Sequence, residues 1–191
     1  MKPAGERWSD DRDMAMRARA GDGQAFAEVV RRYQGPVYGL CRRLLGPPDA
    51  EDAAQETFVR AFVHRERFDP DRPLLPWLFT IARRQCIDRR RKHQPELGVE
   101  LELEADPDPR SNAEAVVVAR QEMEGLAQAL AGLPAGQREA VVLFHVEGLS
   151  YEQIATVLEV PPGTVMTWLH RGRGRLKQAL GHAGKAYGGE R

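Results

Sequence analysis

LSYEQIATVLEVPPGTVMTWLHRGRGRLK, residues 149–177, is the stretch that decides how this chain folds. Ser150 is placed to cap a helix, and Gln153 three residues on completes a capping box. The helix it opens, Tyr151 to Leu158, has Ile154, Val157 and Leu158 on one side. Glu159 to Gly163, with two prolines and a glycine, is a tight connection. A second helix follows, capped by Thr164, with Val165, Leu169, Gly172 and Leu176 spaced i, i+4, i+7, i+11 along a buried stripe. Two short helices joined by a few residues, the second one basic, make a helix-turn-helix. His170, Arg171, Arg173, Arg175 and Lys177 lie on that second helix with no acid between Gly163 and Leu180. Such a helix reaches phosphates and base edges from a major groove.

Working outward, the spacing is helical almost throughout and nothing alternates as a strand does. Upstream, Gly136 to Glu147 reads as a helix ended by Gly148, and Asn112 to Ala131 as another, closed by Leu133-Pro134. Before these, Gln94 to Ser111 carries three prolines, six acids and one base, Arg110. It reads as a tether that spans on the order of 60 Å when extended, at roughly 3.3–3.6 Å per residue. The N-terminal block reads as four helices. Asp10 to Ala20 is broken by Gly21-Asp22-Gly23. Ala25 to Leu45 is expected to kink at Gly35-Pro36 and to stop at Gly46-Pro47-Pro48. The third helix starts with Asp49 as its N-cap and runs to about Arg67, burying Ala54, Phe58, Ala61 and Phe62. The fourth runs from Leu74 to about Lys92, with Leu74, Trp77, Leu78, Ile81 and Cys86 inward. Phe68 to Pro73 between them is a turn-rich loop. The expected fold is therefore all-α: two small helical domains, 10–93 and 112–180, joined by an acidic linker, 94–111, with a short tail, 181–191.

Charge follows the same division. The chain balances 28 basic against 28 acidic residues. Residues 1–93 hold 19 basic and 14 acidic, 94–134 hold 2 and 9, and 135–191 hold 7 and 5. Two basic bodies flanking an acidic segment place polyanion-binding potential at both ends. Within the first body, residues 81–92 carry six bases and one acid. Arg83 with Arg90, and Arg84 with Arg91, lie seven apart and share a face suited to phosphate. Trp77 sits on the apolar stripe and reads as core. Phe79 lies off it, beside the cationic run, and stays open between core packing and stacking on unpaired bases. Asp52, Gln55 and Glu56 point away from the Ala54/Phe58 face and form an exposed polar ridge fit to dock a protein. That cluster has no histidine, nucleophile or metal spacing beside it, so an enzymatic reading finds no constellation to stand on. Cys41 and Cys86 have neither metal spacing nor a CxxC motif and read as reduced, helix-packed thiols of a cytoplasmic protein. The first residues lack the apolar run of a signal peptide, and no apolar stretch is long enough to span a bilayer.

Several of these motifs, in this order, resemble one family. DAEDAAQETFVRAF (49–62), RFDPDR (67–72), WLFTIAR (77–83) and DRRR (88–91) are similar to the second conserved region of the extracytoplasmic-function sigma factors. LPAGQREA (133–140), EGLSYEQIA (147–155), GTV (163–165) and LHRGR (169–173) are similar to their fourth region. The resemblance runs from about Asp10 to Leu180. It implies a transcription-initiation factor that binds core RNA polymerase through its β and β′ subunits, recognises and melts promoter DNA, uses no cofactor or metal, does not insert in a membrane, and is held in check by an anti-sigma factor. It implies that Asp52, Gln55 and Glu56 dock on the β′ clamp. It implies that Phe68, Asp69, Asp71 and Arg72, with Phe79, hold a flipped base of the minus-ten element, while Arg83, Arg84, Arg90 and Arg91 hold the neighbouring duplex and strand. It further implies that Thr164, Met166, Thr167, Trp168, His170, Arg171, Arg173 and Arg175 face the minus-thirty-five element, that the C-terminal domain sits on the β flap, and that the acidic tether threads toward the polymerase cleft. Three residues depart from the family pattern. Met166 stands where a basic or small polar residue is usual, Trp168 where arginine is frequent, and Glu159 at a turn position where glycine is frequent. A positive φ at Glu159 costs on the order of 1 kcal/mol. The rival reading, a stand-alone helix-turn-helix regulator, shares the C-terminal half but leaves residues 49–92 unexplained.

Overall fold

The computed structural model describes residues 11–93 and 123–186. The expected linker, 94–111, the start of the helix expected from Asn112, and the end of the tail lie outside the described residues.

The opening helix α1 spans Arg12–Arg19. Gly21, at φ 95°, ends it with a backbone turn that costs glycine nothing. Asp22 then caps α2 (Gly23–Leu45), its carboxylate accepting from the backbone N–H groups of Gln24 and Ala25. The helix runs continuously across Pro36, where the sequence reading places a kink. Its buried residues, Ala25, Val29, Tyr33, Val37, Leu40 and Cys41, keep one face at i, i+4, i+8 spacing. Buried Asp11 ties the start of α1 to this helix, accepting from the Tyr33 hydroxyl and pairing with Arg32 at 2.6 Å.

Gly46 turns the chain at φ 82°, and α3 (Pro47–Val63) begins at once. Asp49 is therefore not the N-cap but a first-turn residue. The prolines, with φ preset and no N–H to satisfy, open the helix at Pro47, three residues earlier than an Asp49 cap would. Ala50, Ala53, Ala54, Thr57, Phe58 and Ala61 are buried. Phe62 is not: it is 40% exposed, edge-on to Phe26 with ring centroids 5.0 Å apart, under the Arg65 guanidinium. A short 3₁₀ turn, Arg65–Arg67, and the loop to Pro73 lead into α4 (Leu74–His93). Helices α1 to α4 pack around α2 as one bundle.

The second bundle begins with α5, described over residues 123–131, followed by α6 (Ala135–His145), α7 (Tyr151–Leu158) and α8 (Pro162–Ala186). α8 packs on α6 and α7 and continues to Ala186, beyond the boundary expected at Leu180. All the described elements are helical, as expected. The two bundles are in contact: α4, already packed on α2 and α3, also packs on α7. Phe79 on α4 is fully buried, as are its neighbours Leu78 and Ala82. Phe79 is thus corrected from a base-stacking residue to a core residue. A single-stripe reading of α4 assigns one buried face, and α4 has two.

Candidate nucleic-acid interface

The helix-turn-helix is held by local chemistry first. The Ser150 hydroxyl accepts from the Gln153 N–H at 3.3 Å, and the Gln153 side chain accepts from the Ser150 N–H at 2.8 Å, closing the capping box. At the end of α7, Glu159 adopts the left-handed conformation (φ 58°, ψ 43°) and is the only non-glycine residue to do so among the described residues. α8 starts at Pro162 rather than at a Thr164 cap, because proline at the first helical position is already in helical φ.

Packing then decides which side of α8 faces out. Val165 and Leu169 are buried, and Gly172 lies where α8 crosses α6: a Cβ there would come within 2.9 Å of the Val141 side chain. Trp168 lies on the same stripe, three residues after Val165 and four before Gly172. Its indole covers Gly136 so closely that a Cβ at Gly136 would stand 2.7 Å from the ring. The half-buried Trp168 is therefore an interhelix packing residue, and its assignment to the DNA face is corrected. Met166 (54% exposed), Thr167, His170, Arg171, Arg175 and Lys177 are exposed, and Thr164 is half-buried. Arg173 is exposed but engaged: its Nε donates to His145 Nε2 at 3.0 Å, and its guanidinium sits 4.8 Å from the Phe144 ring centre. Burial, then the Arg173 charge, holds His145 below the ordinary histidine pKa.

In the first bundle, Asp69, Asp71 and Arg72 are exposed on the loop after the 3₁₀ turn. The Asp69 carboxylate accepts from the Asp71 N–H at 3.0 Å and lies 3.4 Å from Arg72. Phe68 is not on that surface. It is buried against Trp77, ring centroids 5.3 Å apart, and anchors the loop rather than contacting a ligand. Beside the loop is a cavity of about 250 Å³, lined by Asp11, Arg12, Pro70, Asp71, Arg72 and Leu74 among others. Arg12 of α1 pairs with Asp71 across it, a contribution the sequence reading missed.

On α3, Asp52 and Gln55 are exposed and Glu56 half-buried. Arg89 approaches Asp52 at 3.6 Å, and Arg60 pairs with Glu56 at 2.9 Å. On α4, Arg91 is exposed and Arg90 half-buried. Arg83 and Arg84 are both committed across the bundle interface: Arg83 to Glu139 at 2.6 Å, and Arg84 to Glu159. A further pair, Arg43 with Glu147, joins the end of α2 to the loop after α6. Desolvation raises the Glu147 pKa, an effect the Arg43 charge and hydrogen bond offset in part. Arg43 lies in no motif of the sequence, and Glu139 and Glu147 lie in motifs whose reading gives them no role. Cys41 and Cys86 are free and buried, and the hydrogen bond with Cys41, then burial, push the Cys86 thiol pKa up. Among the described residues no histidine, cysteine or carboxylate cluster is arranged for a metal.

Residues 29–96 match the family model for Sigma-70 region 2, and residues 123–176 match that for Sigma-70, region 4. The chain is 37% identical over 172 residues to the ECF RNA polymerase sigma factor SigW of Bacillus subtilis, an alignment covering 85% of this chain and 92% of the relative. It is 34% identical to the RNA polymerase sigma-H factor of Pseudomonas aeruginosa, covering 89% and 93%. Among solved structures it is similar to CnrH in complex with the cytosolic domain of CnrY, with a TM-score of 0.67, 29% identity, and coverage of 90% and 97%. It is also similar to the sigma factor RpoE in complex with the anti-sigma factor NepR from Bartonella quintana, with a TM-score of 0.63, 27% identity, and coverage of 81% and 96%. Two region matches in order along the chain, on a helical fold with this helix-turn-helix, establish that this chain belongs to the extracytoplasmic-function family of RNA polymerase sigma factors.

Proposed function

We propose that this sigma factor divides promoter recognition between the cavity beside residues 68–73 and the exposed face of α8. The cavity, lined by Asp71, Arg72 and Arg12, with Asp69 beside it bonded to the Asp71 N–H, receives a flipped base of the minus-ten element. Extrusion of that base costs a few kcal/mol, offset by contacts in the pocket. Arg83, Arg84, Arg90 and Arg91 contact adjacent phosphates. Thr164, Met166, Thr167, His170, Arg171, Arg173 and Arg175 face the minus-thirty-five element, with the Met166 side chain suited to thymine methyls. Asp52, Gln55 and Glu56 dock on the polymerase β′ clamp, and the acidic residues of 94–111 lie along the polymerase cleft. The domain boundaries near residues 93 and 112 belong to this reading.

The observation that carries it is the pairing, in one chain, of an acid-free exposed helix on a helix-turn-helix with a separate cavity-bearing bundle that has its own basic helix. A stand-alone regulator has no use for the second. Control by an anti-sigma factor is supported by the relatives solved with CnrY and NepR. Action in the cytoplasm belongs to the same reading; Cys41 and Cys86 are free and buried, and no described helix is long and apolar enough to cross a membrane.

The test is transcription in vitro with purified core polymerase on a promoter library, together with footprints with and without core. Promoter-specific transcripts and core-dependent footprints are expected. Tight, sequence-specific footprints by the chain alone overturn the reading in favour of a stand-alone regulator.

A further inference from the structure

The pairs Arg43–Glu147, Arg83–Glu139 and Arg84–Glu159 cross between the two bundles, and all three run the same way: the arginine on the N-terminal bundle, the glutamate on the C-terminal one. The arginines come from the end of α2 and the middle of α4. The glutamates come from α6, the loop after it, and the end of α7. Two pairs are well shielded, with side-chain exposures of 18% and 8% for Arg43 and Glu147, and 22% and 12% for Arg83 and Glu139. The third glutamate, Glu159, occupies a left-handed backbone position that favours glycine. A carboxylate kept at a strained position, with Arg84 as its salt-bridge partner, points to the pairing as its reason.

We propose that Arg43, Arg83 and Arg84 form a phosphate-contact surface for duplex DNA, and that Glu139, Glu147 and Glu159 occupy it as intramolecular phosphate mimics when polymerase is absent. Carboxylates and phosphates take the same guanidinium donors, so DNA and the C-terminal bundle compete for one cationic surface. The inference rests on the reading of α4 as a promoter contact, extends that surface to Arg43, and gives the free chain a closed form in which α4 is covered while the exposed face of α8 stays open.

The experiment uses the full chain without polymerase and a labelled duplex of arbitrary sequence. Duplex affinity at several salt concentrations, and the radius of gyration by solution scattering, are compared for wild type and E139Q/E147Q/E159Q. The triple variant is expected to expand and to bind about tenfold more tightly, with a salt slope steeper by about two to three, each freed arginine adding about 0.9. Adding R43A, R83A and R84A should return affinity to the wild-type level. Unchanged size and affinity overturn the proposal, as does a gain that survives loss of the three arginines. Because glutamine at Glu139 or Glu147 perturbs a shielded site, the exposed pair supplies a second test. E159R should expand the chain, and R84E/E159R should close it again; failure of the swap to close it counts against the proposal. None of these readouts uses polymerase. Loss of core-dependent transcription by wild type would remove the proposed function without altering them, whereas normal transcription with no response to the triple variant removes this inference alone.

Discussion

Gly136 and Trp168 make a pair that neither residue announces by itself. Alanine at Gly136 gains up to about 1 kcal/mol of helix propensity, but its Cβ would stand within 3 Å of three indole atoms. Overpacking of that kind costs about 1–3 kcal/mol. Gly136→Ala is therefore expected to destabilise the C-terminal bundle by about 1 kcal/mol in denaturant unfolding. Trp168→Ala should remove the clash, so that the double variant costs less than the sum of the singles. Additive costs would mean that the ring does not lie over Gly136. The same contact predicts that Trp168→Arg lowers stability yet returns wild-type sequences in a selection over randomised minus-thirty-five elements. A changed preference would put Trp168 on the DNA. His145 carries a pH prediction. Its folded pKa is depressed, so the unfolded chain binds more protons once pH drops below the ordinary histidine value. Its contribution is complete above that value and is lost as pH falls through the depressed one, where protonation also breaks the Arg173 hydrogen bond. Unfolding followed against pH should show this loss in wild type and not in His145→Gln.

At the scale of the element, what was legible and what was not separates by the kind of force involved. α7 was readable to the residue, Tyr151 to Leu158, because its start is a side-chain hydrogen-bond motif and its buried face a simple period. Ser150→Ala should accordingly cost about 1 kcal/mol of stability; no loss would mean that the box adds nothing beyond packing. The sequence misplaces the start of α3 because an acidic cap and two helix-opening prolines compete within three residues, and the prolines prevail. Phe68, Phe79 and Trp168 read as surface residues because burial is a tertiary property: Phe68 packs on Trp77 and Trp168 covers Gly136, contacts that no period along one helix announces. The cavity by residues 68–73 was legible only as a loop; its far wall is α1, distant in sequence. The ridge on α3 is a further test at this scale. Asp52 and Glu56 make exposed pairs worth roughly 0–1 kcal/mol each. Asp52, Gln55 and Glu56 replaced together by alanine should therefore keep helix content and most stability while weakening association with core polymerase in competition binding. Undiminished association would remove the ridge from the interface.

For the whole molecule, α4 is the shared wall of both bundles, so its burial couples them. Cooperative unfolding follows when the free energy of separating two bodies is comparable with the stability of the weaker one. Wild type should show one calorimetric transition at low salt. Glu159→Gly separates two contributions to that behaviour. It removes a left-handed residue that costs about 1–2 kcal/mol, and it removes an exposed ion pair with Arg84, worth roughly 0–1 kcal/mol. The sum predicts a C-terminal bundle more stable by about 1 kcal/mol. The coupling should nevertheless weaken, because Arg84 loses its partner across the interface. The expected calorimetric record is therefore a higher final melting temperature with a broadened or split profile. Glu159→Gln, which keeps the strain and loses the charge, should split the profile without raising the final melting temperature. If glycine lowers the final melting temperature, Glu159 stabilises its own bundle by more than an exposed pair can. The strained carboxylate would then belong to the fold of α7 rather than to the closure of the two bundles.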